Sequence, residues 1–322
     1  MKFNEVLSIS LIIILLGIIG FIIYQIYPIL DSYYFSEVEK FVPVRDDGKN
    51  VSIVNKAILD DFPEGALFYD NMRFKNKEIS YFIDVMCSDE RANDARDAFR
   101  LLQENTILQF YETDSNGQIE VSCSDSERKI DKDYFIAGEG GPSSIINASN
   151  YYVINNGTIF LYRDNTCSKP IVAIHEILHV LGFQHSINKD SIMYNTTKCN
   201  QKISNDILVI INKIYSVPNL PDLFIRNARA EKKGIDFNFD VEIINGGLEE
   251  SKPTNLSVYG DNKLIGVYNI GKMDIGTGKE IVVSGIRVNK NLKEVAFIID
   301  DDGFMDEINE GNNRYDLVIN EN

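Results

Sequence analysis

The chain has 322 residues, 44% of them hydrophobic and 25% charged, which is long for one small domain. Its formal net charge of −16 is spread over the whole length, so it reads as a solubilising exterior and argues against a nucleic-acid partner. Four cysteines without a C-x-x-C pair leave no basis for a cysteine-bound structural zinc.

Val6–Ile26 carries no formal charge and, at about 1.5 Å rise per residue, is long enough for a ~30 Å hydrocarbon core. The expectation is a single-pass transmembrane signal anchor at 6–28. The short tail 1–5 with Lys2 would stay inside, and Asp31, Glu37 and Glu39 would lie outside. Residues 29–71 show no clear periodicity and read as a stalk or short pro-region.

From residue 72 onward, ISYFIDVM alternates as a strand should. DERANDARDAFRLLQENT places Ala95, Ala98, Phe99 and Leu102 on one helical face, with acids in its first turn. ILQFYET and QIEVSC follow as strands. AGEGGP (137–142) reads as a flexible loop, since no G-K-[ST] follows to make it a phosphate cradle. Tyr151–Ile154, an Asn155-Asn156-Gly157 turn and Thr158–Tyr162 read as a hairpin. Cys87 and Cys123 each end a strand-like run. If those strands are parallel neighbours the two thiols meet, leaving Cys167 for Cys199; four free buried thiols are the alternative. Sequons begin at Asn50, Asn147, Asn156, Asn195 and Asn255.

The three histidines of the chain, His175, His179 and His185, all fall in HEILHVLGFQH. A spacing of four puts His175 and His179 on one helical face, where both imidazoles can reach one zinc ion. His185 would point away on a continued helix, so the chain must turn back, and Gly182 stands where a left-handed residue would allow it. Three neutral nitrogens and one open position form the catalytic zinc pattern, and Glu176 beside them is a candidate general base. The competing reading is an apolar helix that happens to carry three polar residues, which would then need other partners against desolvation.

HExxHxxGxxH followed by Ser186 and, eight residues past His185, by Met193-Tyr194 resembles a metzincin zinc peptidase of the matrixin group. The resemblance implies one catalytic Zn²⁺ on His175, His179 and His185, Glu176 as catalytic base, and Met193 as an apolar floor under the metal. It implies no fifth ligand, because the position where astacin-like relatives carry tyrosine is Asn195. It also implies an edge strand above the cleft, so substrate binding is expected near Ser144–Ile154, by strand addition. ISNDILVIINKIYS (203–216) resembles the family's C-terminal helix, with Ser204 as its expected cap. No cysteine precedes Cys87, so the thiol of a matrixin-type prodomain is missing.

SVPNLPDL marks a boundary near 217. Beyond it, about seven short alternating segments between Gly/Asn/Asp turns suggest an Ig-like sandwich. PDLFI, EIINGG and DDDGFMDEINEGNN resemble CARDB domains. Asp300–Asp302, Asp306 and Glu307 offer the oxygen ligands that Ca²⁺ takes, but they lack EF-hand spacing, and a solvated acidic turn is the simpler reading. The expected architecture is an α+β metzincin-like catalytic domain at 72–217, with a mixed twisted sheet and long helices. One transmembrane helix precedes it and an all-β Ig-like CARDB-type sandwich follows at 218–322.

The expected function is a zinc-dependent endopeptidase acting on proteins or peptides outside the membrane. The alternative is an inactive, metallopeptidase-like surface adhesion or binding protein. In either case the Ig-like domain could dock a surface polymer or protein partner.

Overall fold

The computed structural model describes residues 40–43, 65–125, 135–164 and 166–319. The tail at 1–5, the span at 6–28, the sequon at Asn50 and most of the segment 29–71 lie outside the described residues. Among those described, no helix is long and apolar enough to cross a membrane.

The first domain is built on a mixed sheet. Strands β2 (Arg73–Phe74), β3 (Glu78–Ile83), β4 (Gln109–Glu112), β5 (Ile119–Cys123), β6 (Gly138–Asn147) and β7 (Tyr152–Leu161) run in the order β2-β7-β5-β3-β4, with β6 also on β7. The pairs β3/β4, β3/β5, β5/β7 and β2/β7 are parallel, and only β6/β7 is antiparallel. Helix α1 (Asp89–Asn105) starts at Ser88, whose hydroxyl accepts from the Arg91 N–H, and carries Asp89 and Glu90 in its first turn. Both features satisfy or complement the unpaired N–H groups of that end. Its buried face includes Ala95, Ala98, Phe99 and Leu102, as its periodicity requires. Helices α2 (Ile171–Val180) and α3 (Asn205–Tyr215) complete the domain. At ten and eleven residues they are shorter than expected, because Gly182 ends one and a proline-bearing linker follows the other.

Three expectations need correction. AGEGGP is not a loop, because residues 138–142 form the first half of β6. Asn155-Asn156-Gly157 is not a turn: β7 runs straight through it, paired with β5 on one edge and β6 on the other. The hairpin joins β6 to β7, and its turn lies at Ala148–Tyr151. Ser204 stands before α3 but makes no side-chain cap, and its buried hydroxyl has no hydrogen-bond partner.

Both expected disulfides are formed, Cys87–Cys123 and Cys167–Cys199. The first follows from β3 and β5 being parallel neighbours, which brings their C-terminal ends together.

The second domain is a sandwich of two sheets. It contains β8 (Leu223–Lys233), β9 (Asp236–Asn245), β10 (Thr254–Gly260), β11 (Lys263–Gly271), β12 (Thr277–Arg287), β13 (Glu294–Ile299) and β14 (Arg314–Val318). The sheet orders are β1-β12-β9-β8 and β11-β10-β13-β14, where β1 (Lys40–Pro43) comes from the segment expected as a stalk. Phe237, Phe239, Phe297 and Val258 fill the space between the sheets. The acidic stretch, read as a solvated turn with Ca²⁺ as the lesser alternative, is in part buried and spends its carboxylates within the protein. Asp300 accepts from the Thr254 hydroxyl and the Met305 N–H, Asp301 from the Tyr259 hydroxyl, and Glu307 from the Leu223 N–H and the Asn313 amide.

A third, smaller cluster lies between the domains. Ala148, Tyr151 and Val153 of the first are buried with Leu248 of the second. Burying a side chain of the size of Leu248 contributes roughly 1.5–3 kcal/mol.

Candidate metal centre

Helix α2 reads IVAIHEILHV, and every residue but Val172 is buried. Such a helix has no solvent face, so His175, Glu176 and His179 are only 7%, 6% and 8% exposed. Leu181 closes the helix by donating to Ile177 O, and Gly182 follows at φ +98°, a conformation that side chains disfavour. An added Cβ there would also stand 2.9 Å from the Met72 sulfur. This turn brings His185 back over the helix.

The three rings converge on one point. His179 Nε2 lies 3.0 Å from His175 Nε2 and 3.2 Å from His185 Nε2. The second nitrogens decide what those short distances mean. His175 Nδ1 faces the Ile192 carbonyl at 2.6 Å, and His179 Nδ1 faces the Phe183 carbonyl at 2.8 Å. A carbonyl can only accept, so each Nδ1 carries the proton and each Nε2 presents a bare lone pair. Two lone pairs 3 Å apart repel, and no hydrogen bond between them relieves it. A cation between them does. Tetrahedral zinc with bonds of about 2.0–2.1 Å separates its nitrogen ligands by about 3.3 Å, close to the spacing found. Among the described residues this is the one group of His, Cys, Asp or Glu arranged to hold a metal ion.

Burial holds the imidazoles neutral, as a metal ligand must be. Desolvation lowers His175 to about 4 and His179 to about 3, with neighbouring histidines adding to both. Glu176 moves the other way, pushed up to about 8 by burial first and by Glu139 second, while the Gly140 N–H opposes the shift. The segment after His185 folds under the site. Ser186 N–H donates to Met193 O, and Met193 is fully buried, as the expected floor requires. Phe68 stacks on His179 from the chain preceding the domain, at 6.0 Å between ring centroids.

A cleft of about 470 Å³ opens in front of the histidines, bounded by Glu139, Glu176 and Asn195–Thr197. One wall is β6, which approaches Glu176 most closely at Gly138–Gly140, upstream of the expected Ser144–Ile154. A Cβ added at Gly138 would stand 2.8 Å from Glu176 Cγ, and one at Gly140 would stand 2.4 Å from Glu176 O. Glycine is what lets the strand lie on the helix. Between them Glu139 accepts from the Tyr162 hydroxyl at 2.7 Å and places a second carboxylate in the cleft. Sequence reasoning passed over Gly138, Glu139 and Gly140. The alternating glycines were the available signal. Asn195, not assigned as a ligand, lines the cleft.

The matrixin family model matches residues 73–216, which contain this whole centre. Residues 73–216 are a matrixin domain. A CARDB model matches residues 220–316. Among solved structures, the CARDB domain of a Pyrococcus furiosus protein, crystallised in complex with di-metal ions, is 16% identical. It covers 31% of this chain and 87% of its own, with a TM-score of 0.27. A domain from a cell surface protein of Methanosarcina acetivorans is 15% identical, covers 31% of this chain and 90% of its own, and gives a TM-score of 0.28. No curated protein sequence matches the chain. The two matches leave only residues 217–219 between them.

Proposed function

We propose that the chain is a zinc-dependent endopeptidase, anchored by residues 6–28 with its matrixin and CARDB domains outside the membrane. The observation that carries the enzymatic reading is the convergence of three Nε2 atoms, with Nδ1 of both helical histidines engaged by carbonyls. His175, His179 and His185 would hold the zinc, which would supply Lewis acidity to a bound water and to the scissile carbonyl.

Glu176 is the group that moves the proton. As the carboxylate, it would accept a proton from the attacking water and hand it to the leaving amine. The Gly140 N–H orients that carboxyl. An extended peptide fits along β6, which pairs with β7 on one edge only among the strands. An open cleft beside such an edge suits an internal peptide bond better than a chain end. Two disulfides and the acids following the apolar segment support the extracytoplasmic placement.

The test is zinc content per chain, together with casein cleavage by the wild type and by Glu176→Ala. The expected result is one zinc in both and a turnover about 10²–10⁴-fold lower in the variant. A zinc-replete Glu176→Ala that still cleaves would refute the role given to Glu176, and a folded protein without zinc would refute the whole reading.

A further inference from the structure

Strand β6 has a composition that should not hold it in place. GEGGPSSIIN contains three glycines and a proline, has one partner strand, and slips register between Pro142 and Ile145. Yet its first half shapes the cleft, and the Gly140 N–H orients the Glu176 carboxyl. Something must fix the other half, and the CARDB domain grips the turn that follows it.

The turn after β6 is clamped from several sides. The Asn150 side-chain amide donates to Asp222 Oδ2 at 2.8 Å, and Asp222 Oδ1 accepts from Asn312 at 2.9 Å. Arg226 reaches the Ser149 hydroxyl at 3.4 Å. Ser149 has φ +65° and is 4% exposed, a strained conformation for a side-chain-bearing residue that persists only when its surroundings enforce it. Gly276 lies so close that an added Cβ would stand 2.7 Å from Asn147 O. Ala148 and Tyr151 share their buried cluster with Leu248. The linker is fixed as well. The buried Arg73 guanidinium donates to the carbonyls of Ile214 and Val217 and to Asn219 Oδ1, and Lys75 pairs with Glu249 at 2.6 Å.

We infer that the CARDB domain is a positioning element of the peptidase. It grips the β6–β7 turn and thereby holds the cleft-lining strand, roughly 24 Å of chain away at Gly140, in register. The grip acts through backbone, because seven of the eight residues from Gly140 to Asn147 are paired with β7. The inference rests on the proposed peptidase activity only for its kinetic arm.

The experiment uses the full chain and the Asn150–Asp222 hydrogen bond at the interface. Asn150→Asp sets a carboxylate against Asp222, and the swap Asn150→Asp with Asp222→Asn restores one donor facing one acceptor. Backbone amide exchange is measured by mass spectrometry, and casein cleavage in parallel. Asn150→Asp and, independently, Leu248→Asp are expected to speed exchange in residues 138–147 about tenfold while 78–83 and 119–123 keep their protection. Asn150→Asp should also raise KM for casein more than it lowers kcat, at unchanged zinc content, and the swap should reverse both effects. Unchanged exchange in 138–147 for both single variants overturns the inference, whether or not the turn itself loosens. If the wild type cleaves nothing, the peptidase reading fails and the exchange measurement still decides this one.

Discussion

In the matrixin domain His175, Glu176 and His179 are less than a tenth exposed, and in the CARDB domain Asp300 and Glu307 are buried just as deeply. The two sets differ in where their lone pairs go. Asp300 gives both oxygens to protein donors, Thr254 and Met305, and Glu307 does the same with Leu223 and Asn313. The Nε2 atoms of the histidines face only one another. A buried acid whose oxygens are all engaged within the protein is structural. Buried lone pairs that converge without a donor mark a site for something the protein binds. The acidic stretch at 300–307 spends its oxygens within the protein, and the histidine cluster is the one arranged so that it could hold a metal ion.

That contrast can be broken most severely at the histidines. His179→Ala should leave a folded protein that retains no zinc and shows no detectable casein cleavage, measured by metal analysis of the purified chain. A variant that keeps one zinc would show that the lone pairs do not converge on it. The next largest effect concerns what holds the histidine segment together. Replacing Cys167 and Cys199 by serine releases a cross-link of sequence separation 32, and the loop-closure relation gives about 3–4 kcal/mol of lost stability. Urea midpoints would read it, and an unchanged midpoint would remove the disulfide from the account of the site.

On the CARDB side, Asp300→Ala strands the Thr254 hydroxyl and the Met305 N–H, and should cost about 2–3 kcal/mol. Zinc content and kcat should stay as they are; a loss of metal would contradict the structural assignment of this acid. The smallest effect is one of pH. Glu176 in the metal-free protein is raised to about 8 from an ordinary 4.5, so its contribution to stability is full below about 4.5 and is lost as pH rises through about 8. Metal-free Glu176→Gln lacks this loss. Its melting temperature should gain on the wild type between pH 4.5 and 8.5, by the equivalent of about 1–3 kcal/mol. A constant difference across that range would mean that the carboxyl ionises normally.

Sequence reasoning reached the histidines, Glu176 and Gly182 because their chemistry is tied to helical spacing, a local property. The Cys87–Cys123 disulfide was legible for a similar reason: Cys87 lies four residues past β3 and Cys123 ends β5, and the C-terminal ends of a parallel pair lie together, which left Cys167 for Cys199. Strand β6 was not legible. Gly138, Gly140 and Pro142 signal a loop by propensity, and the strand exists because β7 and the close approach of α2 demand it. Asn155-Asn156-Gly157 misled in the opposite sense. Gly157 is there because a Cβ would meet Val180 Cγ1 at 2.3 Å, and not to make a turn. Ser204 had the right residue type for a cap, but its hydroxyl is buried without a partner, and the structure offers no physical reason for that.

The Cys167–Cys199 bond has a consequence for the life of the molecule. His175, Glu176, His179, His185 and Met193 all lie inside the ring that it closes. A single cut anywhere on that ring changes the chain's connectivity without letting either piece diffuse away. Damage at the heart of the site would therefore be invisible on a gel until the sample is reduced.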